Sequence, residues 1–213
     1  MNAPDPALDA ALRDGWASAC RLYARLLGGD ELAVTPPTAL RLNPDEVPHA
    51  ETVIGYARFY GTAVQYRQSN SFWFGSATFV AAGMAAEAIG NASARRRAEA
   101  AAAAQWRDHA IVRCVLTNHR LLCDYSGSWL SFWHNGVVEF LGDLARWSFV
   151  LRYEVGEPLM LHGPGAPWLA VAVARIVYGP RGLQLPAFAP LAASLRPRRQ
   201  AITGEIVPGT AED

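Results

Sequence analysis

The chain has 213 residues, 51% of them hydrophobic, and its formal net charge at pH 7 is zero. This length suits one domain with appendages or two small domains, and the hydrophobic content is sufficient for a packed core. A balanced charge gives no bulk electrostatic attraction to nucleic acid, so we expect no nucleic-acid partner. Three cysteines do not make a disulfide framework, and residues 1–6 lack a secretory signal, so we expect a cytoplasmic protein.

The first predicted element is an amphipathic helix over residues 6–27. Its apolar side chains recur at spacings of three and four residues: Leu8, Leu12, Trp16, Ala19, Tyr23 and Leu26. Gly28-Gly29 ends the helix, so we assign residues 1–30 to it and the proline-containing residues 31–50 to a linker. Two roles are open for this helix, which are packing on the sheet of the domain and contact with a partner or a second copy of the chain.

Residues 51–60 are the first predicted strand, and a long insert, residues 61–109, follows it. The composition of the insert is helical over about residues 72–107, where alanine is abundant. Residues 72–90 approach the ~20 residues that are needed to cross a bilayer. A single crossing would place the strands on either side of the insert on opposite faces of a membrane, so we do not predict a transmembrane helix.

Two interpretations of the insert remain. In the first, it is a helix or helical hairpin that packs on the sheet or against a second copy of the chain. In the second, an aromatic cluster enters a membrane interface while an arginine cluster contacts anionic headgroups, as in interfacial helices. These residues form the candidate contact site for a membrane or a partner: Phe72, Trp73, Phe74, Arg95, Arg96 and Arg97.

Residues 111–116 and 120–125 are predicted to form a hairpin around a two-residue turn, Asn118-His119. In this register one face of the hairpin is apolar and holds Val112, Cys114, Leu116, Leu121, Cys123 and Tyr125. The other face is polar and holds Arg113, Thr117, Arg120 and Asp124. A slip of one residue would invert both faces, which supports the register. We interpret Cys114 and Cys123, which it places opposite each other, as reduced core residues rather than as a redox pair.

Four further strands are predicted, at residues 129–133, 137–141, 146–155 and 159–162. In the third of these, every second side chain is large and apolar and is expected to face the core: Trp147, Phe149, Leu151, Tyr153 and Val155. Residues 168–178 form an apolar helix that must be largely buried. Residues 180–213 contain several prolines and no periodicity, which predicts a flexible tail.

Two short motifs indicate a family. Leu116-Thr117-Asn118-His119-Arg120-Leu121 is similar to the L-T-x-x-R-L hairpin of bacterial PH-like and GRAM-like domains, a branch of the pleckstrin-homology superfold. Leu42-Asn43-Pro44-Asp45-Glu46 is similar to the L-x-P-x-E that often precedes their first strand. The resemblance implies a mainly β, α+β fold, with a PH-like seven-stranded barrel or sandwich over residues 51–179. A C-terminal helix caps it, an N-terminal helix precedes it, and the helical insert follows the first strand.

The resemblance also bears on the insert. In the PH domains that bind phosphoinositides, the loop between the first two strands commonly faces the lipid. The insert occupies the corresponding position here, so the resemblance implies that it faces a membrane. The basic pattern that binds the headgroup is not visible in this sequence, and phosphoinositide specificity is therefore not carried over.

The sequence contains no signature of catalysis. Its five histidines lack the spacing of metal ligands, and no nucleophile elbow, phosphate loop or dinucleotide fingerprint occurs. His119 and His134 fall in predicted turns, where we expect exposure to solvent. We therefore predict that the protein is not an enzyme, that it uses no cofactor, and that it has no catalytic, cofactor-binding or metal-binding residues.

Several aromatic residues lie in the predicted strands. Trp129, Phe132, Trp133 and Trp147 are expected to pack in the core rather than to stack on bases, because no basic groove surrounds them. An aromatic side chain left on the outer face, such as Phe132 or Trp133, would suit a protein-interaction groove.

These observations lead to one expected function and one alternative. We expect a non-catalytic PH/GRAM-like binding or adaptor module in the bacterial cytoplasm, peripheral to the inner face of the plasma membrane through residues 72–97. Its partners would be a protein, an anionic membrane surface, or both. In the alternative, the chain is a self-associating structural or interaction subunit, a homo-oligomer whose insert and N-terminal helix form the interface between copies.

Overall fold

A computed structural model of the protein describes residues 5–36, 39–61 and 103–195. In chain order the described elements are α1 Pro6–Leu27, β1 Pro48–Tyr60, β2 Gln105–Thr117, β3 Arg120–Tyr125, β4 Ser128–Trp133, β5 Val137–Asp143, β6 Ser148–Tyr153, β7 Leu159–His162, α2 Ala166–Tyr178 and α3 Ala189–Leu195. Short 3-10 helices lie at His134–Gly136, Leu144–Arg146, Gly179–Gln184 and Pro186–Phe188. The fold is thus α+β and mainly β, as the sequence predicts.

The seven strands form one antiparallel sheet in the order β4-β3-β2-β1-β7-β6-β5. Strands β4 and β5 are the two ends of this order, although only the His134–Gly136 turn separates them in the chain. The sheet is strongly curled, as the ring centroids of Phe132 in β4 and Tyr153 in β6 show: they are only 6.2 Å apart. This curl brings side chains from distant strands together at one place.

The hairpin of β2 and β3 has the predicted register. Leu116 pairs with Leu121, and Cys114 pairs with Cys123, around the turn at Asn118-His119. All four of these side chains are fully buried. The apolar face of the hairpin therefore points into the core, as the alternation of the sequence indicates.

Helix α1 begins and ends as predicted. The side chain of Asp5 caps it by accepting a hydrogen bond of 2.9 Å from the Ala7 amide, and Pro6 occupies the first turn, where its missing N–H costs nothing. Its buried side chains pack mainly on α2 rather than on the sheet. The close approach is possible because Gly15 faces the carbonyl of Pro164, where a Cβ atom would collide.

Helix α2 is apolar around most of its circumference, and this apolar surface is buried because other elements cover the helix on two sides. It contacts α1 on one side and strands β5 and β6 on the other. Every residue from Ala166 to Ala174 except Trp168 is buried. The prediction that this helix is largely buried is confirmed.

The prediction of a flexible tail from residue 180 is wrong for residues 180–195. Two 3-10 helices and α3 occupy this stretch, and Leu183, Phe188 and Leu191 are buried in the core. The prolines that suggested disorder stand at the first positions of these short helices, where a fixed φ angle is favourable. Residues 196–213 lie outside the described residues.

Three predicted boundaries also differ. Strand β1 begins at Pro48, within the predicted linker, and β2 begins at Gln105, within the predicted helical insert. Strand β6 is shorter than predicted, because Trp147 adopts a left-handed φ of 55° at the end of a 3-10 turn. Val155, expected in the core, is 73% exposed in the turn that follows β6.

No helix among the described residues is both long enough and apolar enough to span a membrane. The six residues of the predicted contact site, from Phe72 to Arg97, lie outside the described residues. The chain leaves the sheet after Tyr60 and rejoins it at Gln105, and these two residues are register partners. Both ends of the segment that contains the predicted contact site therefore meet the sheet at the same place.

Candidate functional site

The two short sequence motifs, one around Glu46 and one around Arg120, are joined by hydrogen bonds in the structure. The carboxylate of Glu46 accepts hydrogen bonds from Arg120 Nε at 2.8 Å and Arg120 Nη2 at 3.0 Å. It also accepts one from the Thr117 hydroxyl at 2.8 Å and one from the Asn43 amide at 2.9 Å. Glu46 is fully buried at its side chain, so this network fixes the residues before β1 onto the β2–β3 hairpin.

The network explains why Thr117 is buried although it lies on the polar face of the hairpin. Burial by itself would raise the pKa of Glu46, but the hydrogen bonds from Arg120, Asn43 and Thr117 outweigh it and lower that pKa. Glu46 is therefore an ionised partner of Arg120. Because the carboxylate is enclosed and its partners are satisfied, these motif residues stabilise the fold and do not form a ligand site.

His134 is buried, which corrects the prediction that it is exposed in a turn. Its Nε2 donates a hydrogen bond of 3.0 Å to the carbonyl oxygen of Thr117, which ties the turn between β4 and β5 to the end of β2. Burial lowers the pKa of His134 to about 4, so the imidazole is neutral near pH 7. Its Nδ1 has no partner among the described residues.

The paired cysteines Cys114 and Cys123 lie on the inner face of the sheet. Their sulfur atoms are 3.8 Å apart, and both residues are fully buried. The hydrogen bond with Cys123 and burial both raise the pKa of the Cys114 thiol. A protonated and enclosed thiol is a poor nucleophile, so these side chains serve packing.

A pocket of about 600 Å³ opens between strand β4 and the turn that follows β6. We call it the Tyr153 pocket. Its lining comprises Arg58, Ser131, Phe132, Trp133, Asn135, Gly136, Tyr153, Glu154, Val155, Gly156 and Glu157. The volume lies within the range of small-molecule sites in proteins.

The walls of the Tyr153 pocket are aromatic. Phe132 points inward and is almost fully buried, whereas the next residue, Trp133, points outward and is 40% exposed. The guanidinium of Arg58 lies over the Phe132 ring at 5.0 Å, and that of Arg120 lies over the Trp133 ring at 4.5 Å. Phe132 packs in the core as expected, but Trp133, which was expected there as well, is exposed at the edge of this pocket because it is the next residue of the strand and points to the opposite face.

The polar atoms of the pocket are only partly satisfied. Arg58 Nη2 forms an ion pair with Glu157 at 2.5 Å and donates to the backbone carbonyl of Glu157 at 3.0 Å. In contrast, Arg58 Nε and the Tyr153 hydroxyl are buried and have no hydrogen-bond partner among the described residues. Burial raises the pKa of Tyr153 well above its ordinary value, so its phenol is neutral and can donate.

This arrangement can hold a ligand by contact. The aromatic walls offer planar apolar surface, and two of the lining residues, Arg58 and Tyr153, carry buried donors without partners among the described residues. Buried donors without partners are rare in folded proteins and call for an explanation, of which an absent ligand is one. Across residues 5–36, 39–61 and 103–195, no three histidine, cysteine or acidic side chains are grouped as a metal ion would require.

The residues of this pocket were not identified as a site from the sequence. The only signal is that Arg58 stands at an inward position of β1, where it continues the alternation of the buried residues Ile54 and Tyr56. A charged residue at such a position needs a specific reason to be there. The approach of β4 to β6 depends on the curl of the whole sheet and has no local signature.

No protein-family model matches this chain, and neither the curated proteins nor the solved structures contain a significant match to it.

Proposed function

We propose that the chain is a non-catalytic binding module of the PH-like and GRAM-like type, and that the Tyr153 pocket is its ligand site. The observation that carries the proposal is the pocket itself, whose lining combines aromatic rings with two residues that carry buried donors without partners among the described residues. A site of this kind binds without requiring any reactive group.

The PH-like part of the proposal has two supports in the structure. The first is the seven-stranded antiparallel meander followed by α2, which together would form a barrel or sandwich with a capping helix. The second is the contact between the two motifs, through Glu46, Thr117 and Arg120. Their mutual hydrogen bonds give a physical reason for both motifs to occur in one sequence.

Chemical-shift mapping tests the proposed site. The ¹⁵N-labelled full-length chain would be screened against a library of small aromatic fragments. We expect the backbone resonances that shift to cluster at residues 131–136 and 153–157. Clustering of the shifts on α1 and α2, or on the outer face of β1 and β2, would show that the ligand site lies elsewhere.

We also propose a peripheral contact with the inner face of the plasma membrane through residues 72–97. The supporting observation is at the place where this segment joins the sheet. Phe59 and Trp106 form an edge-to-face pair there, at 5.3 Å between ring centroids, and Phe59 is partly exposed. Exposed aromatic side chains are favoured at membrane interfaces.

Liposome flotation tests the membrane contact. We expect the chain to float with anionic but not neutral liposomes at low salt, and to lose this binding when Arg95, Arg96 and Arg97 are replaced by alanine. The matched control replaces Arg13, Arg21 and Arg25 of α1, which changes the net charge equally. If both triple variants lose binding alike, the effect is one of net charge and the specific contact is refuted.

The alternative function is self-association. The apolar side chains of α1 that are buried pack within the chain, so they are not available to a second copy. Val53 and Ile111, in contrast, project from adjacent strands on the outer face of the sheet and are 66% and 73% exposed. This face is the described surface on which contact between copies would occur.

A further inference from the structure

Building on the proposed binding function, we infer that the Tyr153 pocket takes a neutral, planar group that carries a carbonyl or amide oxygen. The hydrogen-bonding groups set the requirement for an acceptor. Arg58 Nε can only donate, and the neutral Tyr153 hydroxyl can donate as well. Both atoms are buried and without partners among the described residues, so each needs an acceptor that the described part of the chain does not supply.

The charges around the pocket favour a neutral ligand. Glu157 already pairs with Arg58, and Glu154 lies exposed at the rim, so the lining has two carboxylates and one guanidinium. A free anion would meet these carboxylates without an uncompensated cation to bind. A cation could pair with Glu154, but it carries no acceptor for Arg58 Nε and the Tyr153 hydroxyl, and it would meet the guanidinium of Arg58.

The aromatic residues set the shape of the ligand. Phe132 and Tyr153 approach each other at an interplanar angle of 42°, and Trp133 stands at the open edge. Flat groups gain most from such surfaces, because offset and edge-to-face ring contacts both require planarity. A planar body that carries a polar oxygen therefore matches both the rings and the donors of the lining.

Two sources supply this chemistry, which are a free aromatic amide and an amide-bearing segment of a peptide. Both place a neutral planar oxygen acceptor in the pocket. The distinction between them concerns how far the ligand extends beyond the pocket, and the experiment below has a separate arm for it.

Three probes of nearly equal shape test the inference, and they differ in charge: benzamide is neutral, benzoate is an anion and benzamidine is a cation. Each would be titrated into the ¹⁵N-labelled full-length chain. We expect benzamide to shift the resonances of residues 131–136 and 153–157 at the lowest concentration of the three. Tighter binding of benzoate or benzamidine at these residues would overturn the inference and leave the proposed site standing. If none of the three probes shifts the resonances of these residues, both the inference and the proposed ligand site are overturned.

Matched variants test the role of the hydroxyl. Tyr153→Phe removes one donor and no ring surface, and we expect benzamide to bind about tenfold more weakly to it. Tyr23→Phe is the control, because the Tyr23 hydroxyl donates to the carbonyl of Leu183, away from the pocket. Equal affinity of benzamide for wild type and Tyr153→Phe would refute the role of this donor.

Glu157→Gln provides a second test that is independent of Tyr153. It removes one carboxylate and leaves the guanidinium of Arg58 without its ion-pair partner, so we expect the affinity for benzoate to rise towards that for benzamide. An unchanged preference would show that the charge balance of the lining does not select the ligand.

The last experiment compares the binding of benzamide with that of the capped peptide acetyl-Gly-Phe-Gly-amide. Tighter binding of the peptide assigns the pocket to polypeptide partners, and tighter binding of benzamide assigns it to small molecules.

Discussion

The hydroxyls of Tyr23 and Tyr153 differ in whether they have a hydrogen-bond partner among the described residues. The hydroxyl of Tyr23 donates to the Leu183 carbonyl at 3.0 Å, whereas that of Tyr153 is buried with no partner in the described part of the chain. A buried group without a partner loses its hydration on folding and gains nothing in return. The buried hydroxyl of Tyr153 therefore destabilises the folded state, and residues that serve binding often destabilise a fold in this way.

The contrast predicts different effects of the same substitution. Tyr23→Phe should lower the free energy of unfolding by about 1 kcal/mol, because a hydrogen bond is lost and the Leu183 carbonyl is left without a partner. Tyr153→Phe should leave the free energy of unfolding unchanged or raise it slightly. Urea denaturation of both variants and the wild type measures the difference. A loss at Tyr153 as large as that at Tyr23 would mean that its hydroxyl stabilises the fold.

His134 makes the stability of the fold depend on pH. Burial lowers its pKa to about 4 in the folded protein, against about 6.5 for an unperturbed histidine. Between these values the unfolded chain binds a proton that the folded chain does not, so stability falls as pH falls from about 6.5 to 4. The total contribution is on the order of 3 kcal/mol.

The variant His134→Gln isolates this effect. Glutamine can still donate to the Thr117 carbonyl but does not titrate. We expect the difference in the free energy of unfolding between wild type and variant to change steadily from pH 7 to pH 4, in favour of the variant at low pH. Comparing the two proteins cancels the contributions of other groups, such as Glu46. Parallel pH profiles for the two would contradict the buried, neutral state of His134.

At the scale of elements, the β2–β3 hairpin depends on an ion pair that joins it to the chain before β1. The guanidinium of Arg120 is 13% exposed and pairs with the fully buried Glu46. Another Glu–Arg pair, Glu51 with Arg113, joins the neighbouring strands β1 and β2 on the exposed face of the sheet. The two pairs have the same chemistry but differ in burial.

Burial should decide what each pair contributes. Glu46→Ala leaves the buried Arg120 without its ion-pair partner, and we expect it to lower the free energy of unfolding by about 3 to 5 kcal/mol. Glu51→Ala should cost much less, because solvent screens the exposed pair. Thermal or urea denaturation of the two variants tests this order. Similar losses from both would mean that the burial of Glu46 is not what makes it important.

The elements differ in how far local sequence determines them. Helix α1 and the β2–β3 hairpin were predicted well, because capping residues, periodicity and a two-residue turn are local signals. The left-handed Trp147 and the short helices of residues 179–195 were missed. They are stabilised by contacts with distant residues, such as that between Trp147 and Trp16 and that between Tyr23 and Phe188. No periodicity in the sequence reports such contacts.

At the scale of the whole molecule, the candidate site is a product of topology. Arg58, Phe132 and Tyr153 come from β1, β4 and β6, and they meet only because a seven-stranded sheet curls until its ends approach. The sequence indicated the fold class, but it placed Trp133 in the core, whereas Trp133 is exposed at the edge of the pocket. It did not indicate the pocket, since the distances between strands depend on the register and curvature of all seven.

The surface of the described residues favours a monomer in solution. The buried face of α1 is covered by the chain itself, and the exposed Val53 and Ile111 lie next to the charged pair of Glu51 and Arg113. Small apolar patches among charges are common on monomers. We therefore expect a dilute, lipid-free solution to contain a single species with the 23.1 kDa mass of one chain.

Sedimentation equilibrium over a range of protein concentrations measures this mass directly, with Ile111→Glu as a companion variant. A monomer at all concentrations supports a module that binds other molecules. A wild-type dimer that Ile111→Glu converts to a monomer would instead place the contact between copies on the outer face of β1 and β2. A dimer unaffected by Ile111→Glu, but lost together with liposome flotation in the Arg95, Arg96 and Arg97 variant, would place self-association and membrane binding on the same segment. Each result assigns the exposed surface to one kind of partner, because the substitution adds a charge where an apolar contact would have to form.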